Sequence, residues 1–460
     1  MRFILKIVIL SILISGCSSK QEKIVPVDLP KDWSYETKIS DLPVTYSLLD
    51  MIEHKKIRTL INEALKNNYD MKATFLRLKA ASFLVDGSRS AFLPSANAGL
   101  SRSRNNQNFD SVTGKRETKY QYRGTLNINW EIDIWGKLSD EYNAEKAEFR
   151  VLKEEYIAAK DSLAARVIQA FIDVVGTKKA IEIQKERLSN LKRNDITLVR
   201  RYKRGLGRLD ELSASRSKKA VARAVLSSKL ESHKKALRSL EILLGRYPGN
   251  YFISDNNYPE IKSPPVTVPA TVIKNRPDIK AAIAKIESGN LKALAAKKGF
   301  LPTLQISSDM LKDSFKAGKL DTATLVWSVV ASIIQPIFSG GNIYYTKKAR
   351  ELQRDASVQD LAQKVLTAIK EVQDALGGEA ELIEQYKNLK LATIEATKSR
   401  IYFENRYRNG LDTIQTLLIA QEEEMDLKNQ LNDVYSLLLR NRVELALTTG
   451  IGIDKEMENL

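Results

Sequence analysis

The sequence predicts an α+β membrane protein in which long membrane-spanning strands alternate with much longer helices, in two similar halves. Three observations support this fold class. Apolar and polar residues alternate from Tyr120 to Gly136, as in a strand with one apolar and one polar face. Apolar residues step by three and four through 137–204 and 342–409, which contain no Pro and few Gly. Short motifs recur roughly 205 positions later in the chain, which indicates an internal duplication.

Residues 1–16 have the pattern of a secretory signal peptide, with a basic start, a short apolar run and small residues at the end. The apolar run is too short for a membrane-spanning helix. The motif ISGC at 14–17 resembles the lipobox of bacterial lipoproteins, which predicts that Cys17 carries a palmitate-containing lipid anchor. Residues 17–54 are then a lipidated N-terminal segment, and a chance cysteine is the alternative. Because Cys17 is the only cysteine, a disulfide within the chain is excluded.

The net charge of +17 raises the question of nucleic-acid binding, but no nucleic-acid partner is predicted. Lys and Arg are mixed with Glu and Asp along helical stretches, which is typical of a solvated surface. Enzyme activity, cofactors and metal binding are not predicted either, because no nucleophile motif, Cys/His cluster or phosphate-binding loop occurs. His54 and His233 are expected on helix surfaces, and the acidic run 422–424 on a solvated helix face.

The alternating stretch from Tyr120 to Gly136 is much longer than an ordinary strand and has aromatic residues towards both ends. A transmembrane β-barrel requires this combination, whereas a soluble domain would risk aggregation at so long an edge. A long hairpin in a soluble sandwich is the alternative. The residues expected to face lipid, here and in the corresponding strand of the second half, are Leu126, Ile128, Trp130, Leu325, Trp327 and Val329.

The first half, 55–245, is predicted to contain helices, two strands and a long helical hairpin. The strands are expected at about 95–104 and 120–134. A helix over 137–204 would be about 100 Å long at 1.5 Å per residue. It turns at Gly205 into a returning helix, and the proline-rich stretch 246–270 is predicted to be an irregular linker.

The second half, 271–450, repeats this plan. The motif FLP at 92–94 recurs at 300–302, and RYKRGL at 201–206 recurs as RYRNGL at 406–411. The remaining predicted boundaries are strands at about 303–311 and 325–338, a helix turn at Gly410, a returning helix over 412–448 and a C-terminal tail at 451–460.

Four strands per chain pose a physical problem. A closed transmembrane barrel has at least about eight strands, and an open sheet edge is not tolerated in lipid. Either the chain therefore forms an oligomer, or the barrel interpretation is wrong.

Several motifs occur in a fixed order along about residues 10–452. They are the lipobox, the two FLP motifs, WEIDIWGKL at 130–138, NRPDI at 275–279, QPIFSGG at 335–341 and the two RYxxGL turns. In this combination the chain resembles the TolC-type outer-membrane factors of tripartite efflux pumps, in their lipoprotein (OprM-like) branch.

The resemblance implies an architecture and partners. The architecture is a homotrimer, in which three chains of four strands form one twelve-stranded barrel in outer-membrane lipid, continued by a hollow α-helical barrel in the periplasm. The implied function is a passive exit duct for solutes, and multidrug resistance is the associated role. The implied partners are a periplasmic adaptor (membrane fusion) protein and an inner-membrane pump of the RND type. The protein would be both lipid-anchored in the outer membrane and span it.

The resemblance also implies two sets of functional residues near the helix turns. The implied adaptor contacts at the periplasmic tips are Gly205, Leu206, Gly207, Gly410 and Leu411. The implied gate or pore candidates are Tyr407, Asp412, Gln415, Ile419 and Glu422.

The gate sequence departs from the family pattern. Where the family branch has Asp-Ala-Gln-Arg, this chain has Ile-Ala-Gln-Glu at 419–422, so the usual acid-plus-arginine gate cannot be transferred. Glu422 is the substitute candidate. Three copies of Glu422 around a narrow axis would raise the carboxylate pKa and favour cations. The alternative is that Glu422 faces outward with the rest of the acidic run.

Two other functions remain open from the sequence. The same duct could serve type I protein secretion, or the chain could be a structural envelope lipoprotein that conducts nothing. Conductance of the purified trimer separates the structural role from both ducts, and the neighbouring genes separate efflux from secretion.

Overall fold

The computed structural model describes residues 29–35, 47–52, 54–108, 116–249 and 257–453. The signal peptide, Cys17 and the end of the C-terminal tail lie outside these residues. The elements of the first half are α1 (Lys55–Asn67), α2 (Tyr69–Arg89), β1 (Ser95–Asn108), β2 (Arg116–Ile132), α3 (Lys137–Lys203) and α4 (Leu209–Leu243). Those of the second half are α5 (Pro269–Asn275), α6 (Pro277–Lys298), β3 (Thr303–Ser314), β4 (Leu325–Ile334), α7 (Asn342–Arg408) and α8 (Ile414–Thr448). Within this described part, no helix is both long and apolar enough to cross a membrane.

The strands are present where the alternation predicts them, but their ends differ. β1 continues to Asn108 rather than 104, because its pairing with β2 extends to Asn108, which is opposite Arg116 at the start of β2. β3 likewise continues to Ser314, which pairs with Tyr122. β4 ends at Ile334 rather than 338, since Pro336 has no N–H to donate to the ladder.

The four strands form one antiparallel sheet in the order β1-β2-β3-β4, so β1 and β4 are its edges. The register places Leu126 opposite Met310, which is opposite Trp327. Ile128 likewise pairs with Ser308, which pairs with Val329. Directly paired residues share a face of a sheet. The six residues predicted to face lipid therefore lie on one face.

The two tight helix turns have the same backbone geometry. The N–H of Gly205 donates to the carbonyl of Tyr202 at 2.9 Å, and that of Leu206 donates to Arg201 at 2.9 Å. Gly410 and Leu411 repeat both bonds one repeat later. This is a Schellman ending, which requires positive φ at the glycine, and Gly205 has φ 72° and Gly410 φ 74°.

The helix after the second turn begins at Ile414 rather than at Asp412. Thr413 is its N-cap, and the side chain of Thr413 accepts a hydrogen bond from the N–H of Thr416. Asp412 instead pairs with Arg406 across the turn, at 3.0 Å. The cap residue thus decides where the helix starts.

The residues just before α2 and α6 each contact the end of a returning helix. Asn68 caps α2 and donates from its side chain to the carbonyl of Leu243 at the end of α4. Arg276 holds the equivalent place in the second half, where it donates to the carbonyl of Thr448 at the end of α8. Arg276 also pairs with Asp278 and Glu371. Arg276 and Asp278, both within the NRPDI motif, therefore contribute to this junction.

The lower helices form one layer in the order α4, α3, α8, α7, which follows from the pairs that pack together. One side of this layer is covered at mid-height by α1 and by the segment that leads into α5. Tyr258 of that segment hydrogen-bonds to Asn432 and Ser436 of α8 and lies against Gly176 of α3, where a Cβ would collide with it. α5 begins at Pro269, so the irregular linker predicted for 246–270 is replaced by a helix at its end.

Candidate functional site

The two faces of the sheet differ sharply in chemistry. The face of Leu126 and Trp327 is apolar through most of its length. The opposite face carries a hydrogen-bonded polar network: Arg123 pairs with Asp313 at 2.9 Å, and Gln121 donates to the same carboxylate at 3.2 Å. The polar residues of β2 and β3 thus make this face polar although β4 contributes apolar side chains to it. The sequence of β4 alone did not indicate a polar face.

α8 carries a stripe of four residues, of which three are exposed. Gln415, Ile419, Glu422 and Asp426 recur at helical spacing and therefore lie on one side of α8. Gln415, Ile419 and Asp426 are exposed, Ile419 to 58%, and Glu422 is partly buried.

Glu422 joins three helices through ion pairs. One carboxylate oxygen lies 2.6 Å from Arg187 Nη2 of α3, and the other lies 2.7 Å from Lys218 Nζ of α4. Arg187 also pairs with Asp426 at 3.1 Å. The hydrogen bond from Lys218, followed by the charges of Lys218 and Arg187, holds the pKa of Glu422 below its ordinary value. Within the single chain, these two cations outweigh burial; the raised pKa expected for three copies of Glu422 around one axis stays a prediction.

The acidic run 422–424 is not a uniformly solvated face. Glu423 is exposed, but Glu424 is 0% exposed, and this part of the prediction is wrong. Arg400 Nε of α7 lies 3.1 Å from one oxygen of Glu424, and Lys428 Nζ lies 3.3 Å from the other. One turn of α8 thus places three successive carboxylates in three environments.

Two gate candidates have roles within the chain instead of lining an open surface. Tyr407 is buried in an apolar cluster with residues of α3, α4 and α8, and its hydroxyl has no hydrogen-bond partner in the described residues. The guanidinium of Arg201 lies 5.9 Å from the Tyr407 ring centroid. Asp412 is held by Arg406, as described above. Gln415 and Ile419 remain exposed.

The tip turns expose their leucines. Leu206 is 69% exposed and Leu411 is 63% exposed. A Cβ at Gly205 or Gly410 would meet nothing within 4 Å, whereas one at Gly207 would come within 3.0 Å of the Tyr202 nitrogen. Gly205 and Gly410 are therefore required for their dihedral angles, and Gly207 for space.

The histidines are less exposed than the sequence suggests. Both are partly buried: His54 lies against Phe171, with ring centroids 5.3 Å apart, and His233 Nδ1 is 2.9 Å from Thr177 Oγ1. Burial lowers the pKa of His233. Among the described residues, no group of three His, Cys, Asp or Glu side chains is arranged to hold a metal ion.

A sheet with one apolar and one polar face, continued by a layer of helices far longer than a bilayer is thick, defines an outer-membrane channel architecture. The outer membrane channel CmeC of Campylobacter jejuni has this fold, with a TM-score of 0.86 at 21% identity over 96% of each chain. The family model described as outer membrane efflux protein matches residues 60–246 and 268–451. The chain therefore belongs to the outer membrane efflux protein family, and it is the outer-membrane component of an efflux system.

Two curated relatives are similar over most of their length. The toluene efflux pump outer membrane protein TtgF of Pseudomonas putida is 26% identical over 406 residues, which cover 86% of this chain and 84% of TtgF. SilC of Salmonella typhimurium, whose name describes an outer membrane lipoprotein, is 24% identical over 442 residues, covering 92% of this chain and 95% of SilC.

Sequence reasoning missed the cations that surround the acidic run. Arg187 and Lys218 lie 235 and 204 positions from Glu422, on other helices. Only the packing of α3, α4 and α8 brings them together, and no local motif marks them.

We expect Glu424→Gln to destabilise the lower helices and Glu423→Gln to leave them unchanged. Glutamine keeps the size of Glu424 but removes the charge that Arg400 and Lys428 share, which costs about 1.5–3 kcal/mol for hydrogen bonds to a charged group. The exposed Glu423 should change stability by less than about 0.5 kcal/mol. Thermal unfolding midpoints in detergent, followed by circular dichroism, measure both; equal midpoints for the two variants would contradict the buried network.

Proposed function

We propose that three copies of this chain form a passive exit duct for solutes. The open edges of β1 and β4 support a trimer, since a sheet of four strands leaves two rows of backbone groups that lipid cannot hydrogen-bond. β1 of one copy would pair with β4 of the next and close a barrel. The apolar face, with Leu126, Ile128 and Trp327, would contact lipid, and the polar face would line the lumen.

The outermost helices of the layer support the same assembly. α4 and α7 carry several exposed apolar side chains, and exposed apolar patches usually mark an interface. These side chains include Val221, Val225, Leu391, Ile394 and Ile401. In a ring of three copies, α4 of one chain would lie beside α7 of the next.

The partners are a periplasmic adaptor and an inner-membrane pump, for which we propose the RND type. The names of TtgF and of the cation efflux system protein CusC of Escherichia coli refer to efflux, which supports the efflux duct. A duct lowers the barrier to passage by its width and its charges, so the proposal requires no catalysis. Lipidation at Cys17 remains a proposal, supported by the lipobox and by the name of SilC; the intact mass of the mature chain tests it.

The trimeric barrel predicts different effects for two neighbouring residues of β2. Ile128→Arg would place a charge in lipid near the midplane, at a cost of about 2–4 kcal/mol. Asn129→Arg is the matched control, because residue 129 points to the polar face. Crosslinking and size-exclusion chromatography in mild detergent should show a trimer for the native chain and for Asn129→Arg, and loss of trimer for Ile128→Arg. A monodisperse native monomer would refute the proposal.

Glu422 is proposed to line the narrow part of the duct, as one member of a compact charge cluster. Because Glu422 and Asp426 face Arg187 and Lys218, the constriction would be nearly neutral. Glu422→Gln leaves one positive charge per chain in excess, because Asp426 still pairs with Arg187, so reversal potentials in planar bilayers should shift towards anion selectivity. Glu423→Gln is the control and should leave them unchanged. An unchanged reversal potential for Glu422→Gln would remove Glu422 from the lumen, while a trimer that conducts nothing would refute the duct itself.

The exposed tip leucines are proposed as adaptor contacts. The double variant Leu206→Asp/Leu411→Asp should weaken binding of the cognate periplasmic adaptor by at least about tenfold, because each leucine loses its burial at the interface. Tyr247→Asp is the control, since Tyr247 is 83% exposed but lies at the far end of α4. Surface plasmon resonance with immobilised trimer measures the affinities. Equal affinities for both variants would exclude the tips as the contact.

A further inference from the structure

The apolar face of the sheet ends in a group of cations. On this face, every charged side chain that the structure describes is positive. They are Arg102, Arg104 and Lys312. Their place on this face follows from the strand register, which pairs Arg102 with Tyr122, Arg104 with Tyr120 and Lys312 with Gly124. The carboxylates of Asp309 and Asp313 belong to the opposite face. All three cations lie at the end of the sheet that is farthest from the long helices.

The two arginines share one aromatic platform. The Arg102 guanidinium lies 4.9 Å from the centroid of the Tyr120 ring and 5.6 Å from that of Tyr122, and Arg104 lies 5.8 Å from Tyr120. Neither guanidinium has a carboxylate partner among the described residues, in contrast to Arg123 on the other face, which pairs with Asp313. Two like charges over one ring repel each other, and an anion between them would relieve that repulsion.

The height of this platform can be derived from the strand. Ten residues separate Tyr120 from Trp130, which is about 33 Å along a strand and about 25 Å along the membrane normal at the usual barrel tilt. That is the height of the apolar band of a transmembrane barrel. Trp130 lies beside the helices and thus at the periplasmic boundary, so Tyr120 and its two arginines lie at the outer boundary, facing lipid.

We propose that Arg102 and Arg104 bind the phosphate groups of phosphorylated glycolipid in the outer leaflet. This inference rests on the proposed orientation of the barrel. A guanidinium group can donate two parallel hydrogen bonds to a phosphate while its plane stacks on an aromatic ring. An ammonium group cannot do both. Tyr120 and Tyr122 hold both guanidinium groups at the level of the lipid headgroups. Lys312 adds a third positive charge on the same face.

The test compares Arg102→Gln/Arg104→Gln with Arg123→Gln, which removes a cation at the same height on the opposite face. Each trimer is purified, and its bound glycolipid is quantified by mass spectrometry. Thermal midpoints are then measured with added bisphosphorylated glucosamine-disaccharide lipid, with its dephosphorylated form and with inorganic phosphate. We expect the native trimer and Arg123→Gln to retain the glycolipid and to be stabilised by the phosphorylated lipid alone. The double variant should retain several-fold less and show no shift.

Three results would overturn the site: equal retention in the double variant, equal stabilisation by the dephosphorylated lipid, or the same stabilisation by inorganic phosphate. The trimer content and conductance of every variant are measured in parallel. Loss of trimer in the native chain would count against the duct, whereas an intact conducting trimer without glycolipid preference would count against the phosphate site only.

Discussion

The unpaired edges of the four-stranded sheet constrain the rest of this protein. In lipid, a backbone N–H or carbonyl without a partner costs several kcal/mol, so a sheet can span a membrane only as a closed barrel. The chain supplies four strands with β1 and β4 at the edges, and it supplies them as two similar hairpins. A further copy of the same sheet is therefore needed at each edge, and the long helices attached to every hairpin must assemble with it.

The duplication is most exact where backbone chemistry is most demanding. Gly205 and Gly410 end the long helices, and Gly245 and Gly450 end the returning ones, each with positive φ. Gly136 and Gly341 precede the long helices, again with positive φ. Only glycine adopts these dihedral angles without a steric cost. The intervening side chains have diverged between the two halves, whereas these turning points have kept their spacing.

The charges at the lower end of the helices show how packing assigns different roles to similar residues. Glu422 bridges three helices at a partly exposed position, Glu423 is solvated, and Glu424 is buried against Arg400 and Lys428. A helix turns by about 100° per residue, so three successive carboxylates necessarily point in three directions. What each one meets depends on the neighbouring helices.

The sequence by itself determined the elements, the repeat and the apolar face. Period-two alternation identified β2, helical spacing identified α3 and α7, and the six apolar residues expected on one face do share it. These features are local, because the backbone period fixes which residues point the same way. Strand ends and the start of α8 were missed by a few residues, since ladder pairing and the Thr413 cap decide them. Only the tertiary structure placed Arg187 and Lys218 on Glu422, buried Tyr407 and Glu424, and gathered Arg102 and Arg104 on one tyrosine. Those contacts join strands or helices far apart in the chain, and their energies depend on register and packing that no short stretch of sequence encodes.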